Sequence, residues 1–564
     1  MEHTEHTEHT EHTEHTDTAI SLDFGNYKLK AAYIDRTRTG PDGSGECRNL
    51  DPSEHPDGVS SFFAVDRHGN MRFGADAERP KNGFARVARL KSHIGEAIAG
   101  ADGKPFLVND TSFRYDTAVT ATAEAFLQGV NERLGYMGIG PVRDIFLSYP
   151  AGADFGLAKL TRFVRLINSA TLEDGTNFRV RGTICEPAAA ALNFLASMRE
   201  KKPESKVLEI DVGGGTFDMA LLTAYPDGKE NVGAVRYYDI VACDGIPDIG
   251  GLDFSDRLTG LLLSKAENAA GGKLTNAERT MLCRMTEDVK RRLSVSESTD
   301  VSDLMHGGEF LEINVTRAEF EAESRDLLSR IGERASALLR RNPDFIPEHV
   351  VLSGGASKMP MIGETLRAAL PEYADRFAVF EPELSVCYGT ARYAAMEINA
   401  DETSSGDPAD RPLTVLKRTR ADIGIEYCDE TKKPGEPGYL YIHRLIRRGT
   451  VIPCAADEVR TCSLNEDSDR IRIKLFEATT EDPDDTAPER DWESRLELEL
   501  GFGGEMPRGT KIHYLFGVDG MGLGRLEAWL HDDVNRSVSG VISLPPEINT
   551  RGVGMYDDKE REEH

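Results

Sequence analysis

The chain has 564 residues, 39% hydrophobic and 29% charged, with 53 glycines and 26 prolines, the balance of a soluble globular protein long enough to bury several cores. Its formal net charge of −29 repels phosphate backbones and anionic lipid, which argues against nucleic acid and membrane surfaces as partners. No run of about 18 apolar residues and no basic, apolar leader occurs, and the eight cysteines (Cys47, Cys185, Cys243, Cys283, Cys387, Cys428, Cys454, Cys462) include no CxxC, so a cytoplasmic protein without a disulfide framework or zinc ribbon is expected.

In chain order, residues 1–17 carry a repeat of Glu-His-Thr too polar to fold, and are expected to be a disordered tail. The segment AISLDFGNYKLKAAYID then alternates apolar residues across a turn at Gly25, which predicts strand, tight turn, strand. As far as residue 400, short apolar runs (IFLSYP, KVLEIDVGGGTFDMALL, HVVLSGG) alternate with helical patterns (DTAVTATAEAFLQGVNERL, AERTMLCRMTEDVKRRL, SRDLLSRIGERASALLRR), as in α/β architectures. Residues 401–418 read as a polar linker. Period-two segments such as RIRIKLFEA and KIHYLFGV predict a β-sandwich over 419–545, and a charged tail occupies 546–564.

Two Asp-x-Gly turns, LDFGN at Asp23–Asn26 and EIDVGGGTFD at Asp211–Asp218, each follow an apolar strand. Glycine lets backbone N–H groups approach phosphate oxygens, and the carboxylate can hold Mg²⁺ or its waters. A third glycine element, VLSGGASKMP with Gly354 and Gly355, also follows a strand, although alone it could be an unliganded turn.

With these motifs the chain resembles the actin-like ATPase superfamily, and within it the heat shock protein 70 (DnaK-type) chaperone family, over roughly residues 18–545. SLDFGN is similar to the family's first phosphate loop, ICEPAAAAL to its first connecting helix, DVGGGTFD to its second phosphate loop, EDVKRRLS to its adenosine helix, VLSGGASKMP to its adenosine loop and EPELSVCYGTARYAA to its closing helix. The resemblance implies an α/β actin-like (ribonuclease H-like) two-lobed ATPase domain over 18–400, followed by an all-β peptide-binding sandwich. It implies an ATP hydrolase that binds ATP/ADP with Mg²⁺, and with K⁺ as an accompanying cation, to control the binding of unfolded or extended polypeptide. A nucleotide-binding scaffold or client-specific ATPase with little turnover is the alternative.

By the same resemblance Asp23 and Asp211 act on Mg²⁺ through water, Glu186 orders the attacking water with Asp218 close by, and Lys91 neutralises charge near the γ-phosphate. Gly25, Asn26, Tyr27, Gly213, Gly214, Gly215, Thr216, Gly250 and Gly251 surround the phosphates; Glu287, Lys290, Arg291, Ser294, Gly354, Gly355, Lys358 and Glu383 surround the adenosine. Ile425, Cys428, Leu464, Ile471, Ile473 and Leu523 are assigned to the peptide cleft. Each has a plainer alternative: a solvated helical ion pair for Glu287–Lys290, a surface lysine for Lys91, a helix cap for Glu186, and sandwich core for the cleft residues.

Departures from the family's pattern bear on function. Asn26 and Tyr27 replace two threonines, Ala356 and Lys358 replace Ser and Arg, Glu383 replaces Asp, Thr461 stands where Phe is common and Lys417 where an Asp follows the apolar linker. Slow hydrolysis is expected. J-domain co-chaperones and nucleotide exchange factors are implied partners, although Ala158 and Gly182 stand where the family keeps arginines. With only a short charged tail after the sandwich, a lidless cleft is expected, and with it faster release of peptide.

Overall fold

The computed structural model describes residues 18–541 apart from 36–44, 52–57, 79–82, 101–102, 199–203, 227–234, 307–308, 403–412, 429–431, 434–435, 437–438, 465, 481, 487 and 534–535. The Glu-His-Thr repeat and the charged tail lie outside the described residues.

The hairpin read around Gly25 forms strands β1 (Ile20–Phe24) and β2 (Lys28–Asp35), antiparallel and in a register that sets Asp23 opposite Lys30. Strand β3 (Glu46–Asn49) continues the meander, while β4 (Asp144–Tyr149) and β5 (Arg179–Cys185) add in parallel on the other side of β1. The order is β5-β4-β1-β2-β3. Parallel neighbours need crossovers, here made by helices such as Tyr115–Tyr136 and α1 (Leu157–Asn168).

A second sheet repeats this plan. Strands β6 (Ser205–Val212), β7 (Phe217–Pro226) and β8 (Val235–Ile246) form an antiparallel meander, and β9 (His349–Ser353) and β10 (Phe377–Val379) add in parallel beside β6. Asp23 and Asp211 therefore occupy equivalent places, each at the end of the first strand of its meander. Both faces of the second sheet are covered: Val207 and Ala220 pack into one core, Leu208, Ile210 and Val212 into another. This is why the strand reads as a nearly continuous apolar run. Between the sheets lie helices α2 (Glu186–Ser197) and α5 (Ser385–Glu402), which pack on each other; Ala188, Ala189, Ala190 and Ala191 are fully buried there.

The linker expectation for 401–418 is corrected at its end. Strand β11 (Thr414–Arg418) joins the second sheet, parallel to β8 with Val415 opposite Tyr238. Its alternation buries Val415 and Lys417; the lysine lies over the Tyr393 ring and donates to Thr183 O at 2.9 Å and Tyr393 Oη at 2.7 Å. The lysine's charge hid a strand in the sequence, because its stem packs as an apolar residue while its head is hydrogen-bonded.

Beyond it, two antiparallel sheets share one core. The first contains β12 (Ile423–Cys428), β13 (Leu440–Ile446), a long strand over Ser468–Ala478 and its partner Trp492–Met506; the second is built on Lys511–Val518, Gly524–Leu530 and Ser537–Val541. This β region is docked on the first sheet. Leu157 and Ala158 at the start of α1 enter its core, and Glu477 accepts the Leu157 N–H at 2.8 Å, placing a carboxylate at the positive end of that helix. Arg420 donates to Pro150 O at 2.7 Å and lies 4.4 Å above the Tyr149 ring. A cation over a desolvated ring and a charged hydrogen bond together are worth about 3–5 kcal/mol. Arg420→Ala is therefore expected to loosen the docking, read as amide exchange over Thr414–Arg418 at least about 100-fold faster; unchanged protection would show that Arg420 carries none of it.

Candidate functional site: a cleft between two glycine turns

The turn after β1 and the turn after β6 meet tip to tip. A Cβ on Gly214 would lie 2.5 Å from the Cβ of Tyr27, and one on Gly215 would lie 2.9 Å from the Asn26 amide, so only glycine permits this approach. Gly354, with φ of 77°, sits in the left-handed region, and a Cβ there would come within 2.3 Å of Asp211 Oδ1. These turns enclose a cavity of about 420 Å³ lined by Asp23, Gly25, Asn26, Tyr27, Lys91, Glu186, Asp211, Gly213, Gly214, Gly215 and Thr216. Its other wall is formed by Gly251, Glu287, Lys290, Arg291, Ser294, Gly354, Gly355, Lys358 and Glu383. Asp218 and Gly250 stand directly behind these walls. Asp218 Oδ1 accepts the N–H groups of Ala151 (2.6 Å) and Gly152 (3.1 Å), tying the second sheet to the loop after β4, and Gly250 abuts the backbone of Gly215.

The floor is crowded with buried charge. Lys91 donates to Glu186, and Lys30 lies 3.6 Å from Asp23. Burial, followed by the neighbouring carboxylates, raises Asp211 to about 7; burial raises Asp218 to about 6 and, against the pull of Lys91, Glu186 to about 8. For Lys91 burial acts downward, but Glu186 and Asp23 outweigh it and the ammonium is held. Three carboxylates (Asp23, Glu186 and Asp211), with Asp218 behind them, thus face two ammonium groups, and Asp211 Oδ1 is buried without a hydrogen-bond partner among the described residues. Such an excess fits a divalent cation. Among the described residues no three His, Cys, Asp or Glu side chains converge closely enough to ligate one ion directly, so the donor set suits a hydrated ion gripped through its waters.

On the opposite wall, helices α3 (Gly251–Ala270) and α4 (Asn276–Val295) are joined by Lys290, which donates to Gly251 O at 2.9 Å and Ser255 Oγ at 2.8 Å and pairs with Glu287 at 2.8 Å. Lys358 pairs with Glu383 at 2.5 Å across the mouth. Met359, Pro382 and Val386 supply an apolar strip between these pairs that suits the face of a base.

Two residues of the first turn also have partners behind the cavity wall. Asn26 does not point its amide into open space: Nδ2 donates to Ser92 Oγ at 2.8 Å and Oδ1 accepts the Ser92 N–H at 3.2 Å, so it holds the segment that carries Lys91. Tyr27 packs edge-on against Phe62, and burial and Glu287 push its phenol up to about 12. Lys30 was missed; the hairpin register that sets it opposite Asp23 was the available signal.

Of the residues assigned to a peptide cleft, four share one core and one lies in another. Ile425, Ile471 and Ile473 are buried in the core shared by the two β sheets, Leu464 packs against its margin, and the Cys428 side chain lies outside the described residues. Leu523 is a correction: it is buried in the core of the first sheet, because the 519–523 turn docks there and Met521 O accepts the Thr183 hydroxyl at 2.5 Å. Gly182 is buried, and a Cβ there would lie 2.5 Å from the Phe146 ring, so that position has no room for an arginine.

Matches to known proteins span part of this site. The chain is similar to the Heat shock 70 kDa protein of Emericella nidulans, at 26% identity over 427 residues that cover 74% of this chain and 59% of that protein. It thus spans about three fifths of the length of the curated relative it matches. The model of the Hsp70 protein family matches residues 175–487, a segment that holds Glu186, Asp211 and the whole second wall, whereas Asp23 and Lys91 precede it. That match covers more than half of the sequence, and the chain belongs to the Hsp70 protein family.

Proposed function

We propose that this protein binds ATP with Mg²⁺ in the cleft between two actin-like lobes, one built on each five-stranded plan, and hydrolyses it to ADP and phosphate slowly. One observation carries the reading: two glycine turns from separate sheets converge on a single cavity whose floor is acidic and whose far wall is an apolar strip flanked by ion pairs. Asp23 and Asp211 would hold the cation's waters, and a bound Mg²⁺ would offset the charge of the triphosphate. Backbone N–H groups of the turns at Gly25 and Gly213–Thr216 would cradle phosphate oxygens. Lys91, pinned by Glu186 and by the Asn26–Ser92 contact, would place its ammonium against the charge that grows in the transition state. Glu186, as the carboxylate, would accept a hydrogen bond from the attacking water and hold it in line.

Domain limits of 18–400 for the ATPase part and 419–545 for a β-sandwich accompany this proposal, with β11 as the strand between them. In this reading the sandwich binds extended polypeptide, as in an ATP-dependent chaperone, and its docking through Arg420 and Glu477 links client to nucleotide state. Ile425, Ile471, Ile473 and Leu523 are committed to cores in the docked form, so polypeptide would reach them only on undocking. Titration calorimetry with Mg²⁺ and ATP tests the reading: saturable one-to-one binding, with phosphate release stimulated by an unfolded peptide, is expected, and absence of saturable binding overturns it. A second reading, a nucleotide-binding scaffold, is favoured by the engagement of Asn26 with Ser92 in place of a hydroxyl near the γ-phosphate; binding without phosphate release selects it.

A further inference from the structure

We propose that Cys185 and Cys243 form an oxidisable dithiol whose co-reactant is a small peroxide, and that the resulting disulfide clamps the two sheets together beneath the nucleotide cleft. Cys185 ends β5 in the first sheet and is followed by Glu186; Cys243 lies on β8 in the second sheet. Their Sγ atoms are 3.0 Å apart and both are free thiols. A disulfide needs a separation of about 2 Å, so closure by about 1 Å suffices. Neither thiol has a part in the hydrolysis proposed above.

Access favours reaction. Cys243 lines a second cavity of about 370 Å³, wide enough for a peroxide, and the Arg420 guanidinium on its border acts to favour the thiolate of both cysteines. The hydrogen bond between the sulfurs lowers the Cys185 thiol and raises Cys243, as two thiols sharing one proton must do: the first ionisation becomes easier and the second harder.

The chemistry balances. The first ionisation leaves the charge on Cys185; as peroxide enters the cavity that Cys243 lines, Cys243 passes its proton to Cys185 across the 3.0 Å contact, and the Cys243 thiolate attacks one peroxide oxygen, breaking the O–O bond to give a sulfenic acid and hydroxide. That hydroxide takes the Cys185 proton and leaves as water. The Cys185 thiolate then attacks the Cys243 sulfur, the S–S bond forms, and the expelled hydroxide recovers the proton lost at the first ionisation. Each sulfur is oxidised by one electron, the peroxide is reduced by two, and two waters are produced.

Cys185 and Cys243 are anchored to opposite sheets, so the bond would oppose any widening of the cleft. The effect on nucleotide rests on the reading under Proposed function, whereas the formation of the bond does not. The test treats full-length protein, with the exposed Cys283 replaced by serine, with hydrogen peroxide. A loss of about 2 Da and a Cys185–Cys243 cross-linked peptide are expected, absent in Cys243→Ala and reversed by dithiothreitol. Release of a fluorescent ADP analogue should slow about tenfold in the oxidised protein and be unchanged by peroxide in Cys243→Ala. Two thiols that stay free, or a sulfinic acid on either cysteine without the cross-link, overturn the dithiol; a cross-link that leaves nucleotide release unaltered overturns the clamp. A protein that forms the cross-link but binds no nucleotide upholds the dithiol and sinks the ATP reading instead.

Discussion

Lys91→Met is expected to lower phosphate release about 100- to 1000-fold, the loss that follows removal of one preorganised charge contact made in a transition state, while nucleotide affinity falls less than about tenfold. The reason lies in what Lys91 touches. It is 1% exposed and its ammonium is shared with Glu186, within reach of Asp23 and Asp218. Without it Glu186, already raised to about 8 by burial, moves further up and stays protonated even above pH 8, where the parent has a carboxylate, so it ceases to accept a hydrogen bond from water there. Breaking a buried pair by deleting one partner destabilises by about 3–5 kcal/mol, but protonation of Glu186 limits that loss. The double variant Lys91→Met with Glu186→Gln should thus regain stability without regaining turnover. Single-turnover phosphate release beside calorimetric affinity separates the two effects. Turnover within about threefold of the parent would remove Lys91 from the mechanism.

Asp211→Asn is expected to make the ligand-free protein more stable at pH 8 and to weaken Mg²⁺-dependent nucleotide binding by about 100-fold. Burial raises the Asp211 carboxyl from 3.8 to about 7, so between those values the folded chain keeps a proton that the unfolded chain has released. Stability attributable to this group falls as pH rises through that window and stays low above it. Replacing the carboxyl by an amide removes that slope, a gain on the order of 2–4 kcal/mol at pH 8. The same ionised carboxylate is what a cation's waters would grip, so Mg²⁺ with nucleotide should raise the parent's melting temperature more at pH 8 than at pH 6 and leave the variant nearly unmoved. A variant that is less stable than the parent at pH 8, or that answers Mg²⁺ like the parent, would falsify the assignment of Asp211.

Much of this protein is legible along the chain because its signals are local. The alternation in ISLDF and KLKAAYID and the glycine between them define a hairpin within a few residues, and the same holds for KVLEIDVGGGTFDMALL. Glu287, Lys290, Arg291 and Ser294 lie on one helical face by spacing alone, and that face lines the cleft. Such patterns also marked the α/β part, the following β region and the residues that carry charge.

Other features depend on residues hundreds of positions apart. That Tyr27 meets Gly214, that Glu186 reaches Lys91 and that Cys185 meets Cys243 follow from two sheets closing on one another, a contact that no local period encodes. Lys417 read as a charged linker residue and Leu523 as a cleft residue, because polarity and alternation report burial without naming the partner. Packing decided otherwise, with the Tyr393 ring covering the lysine stem and the 519–523 turn carrying Leu523 into the first sheet's core. By itself the sequence determined the hairpins at Gly25 and Gly213–Thr216 and the helical face of Glu287 to Ser294, since hydrogen bonding and side-chain period act over a few residues. Only the tertiary structure decided which carboxylates share a cavity, which isoleucines are spent on a core and which thiols touch, since burial and close approach are properties of surfaces brought together from distant parts of the chain.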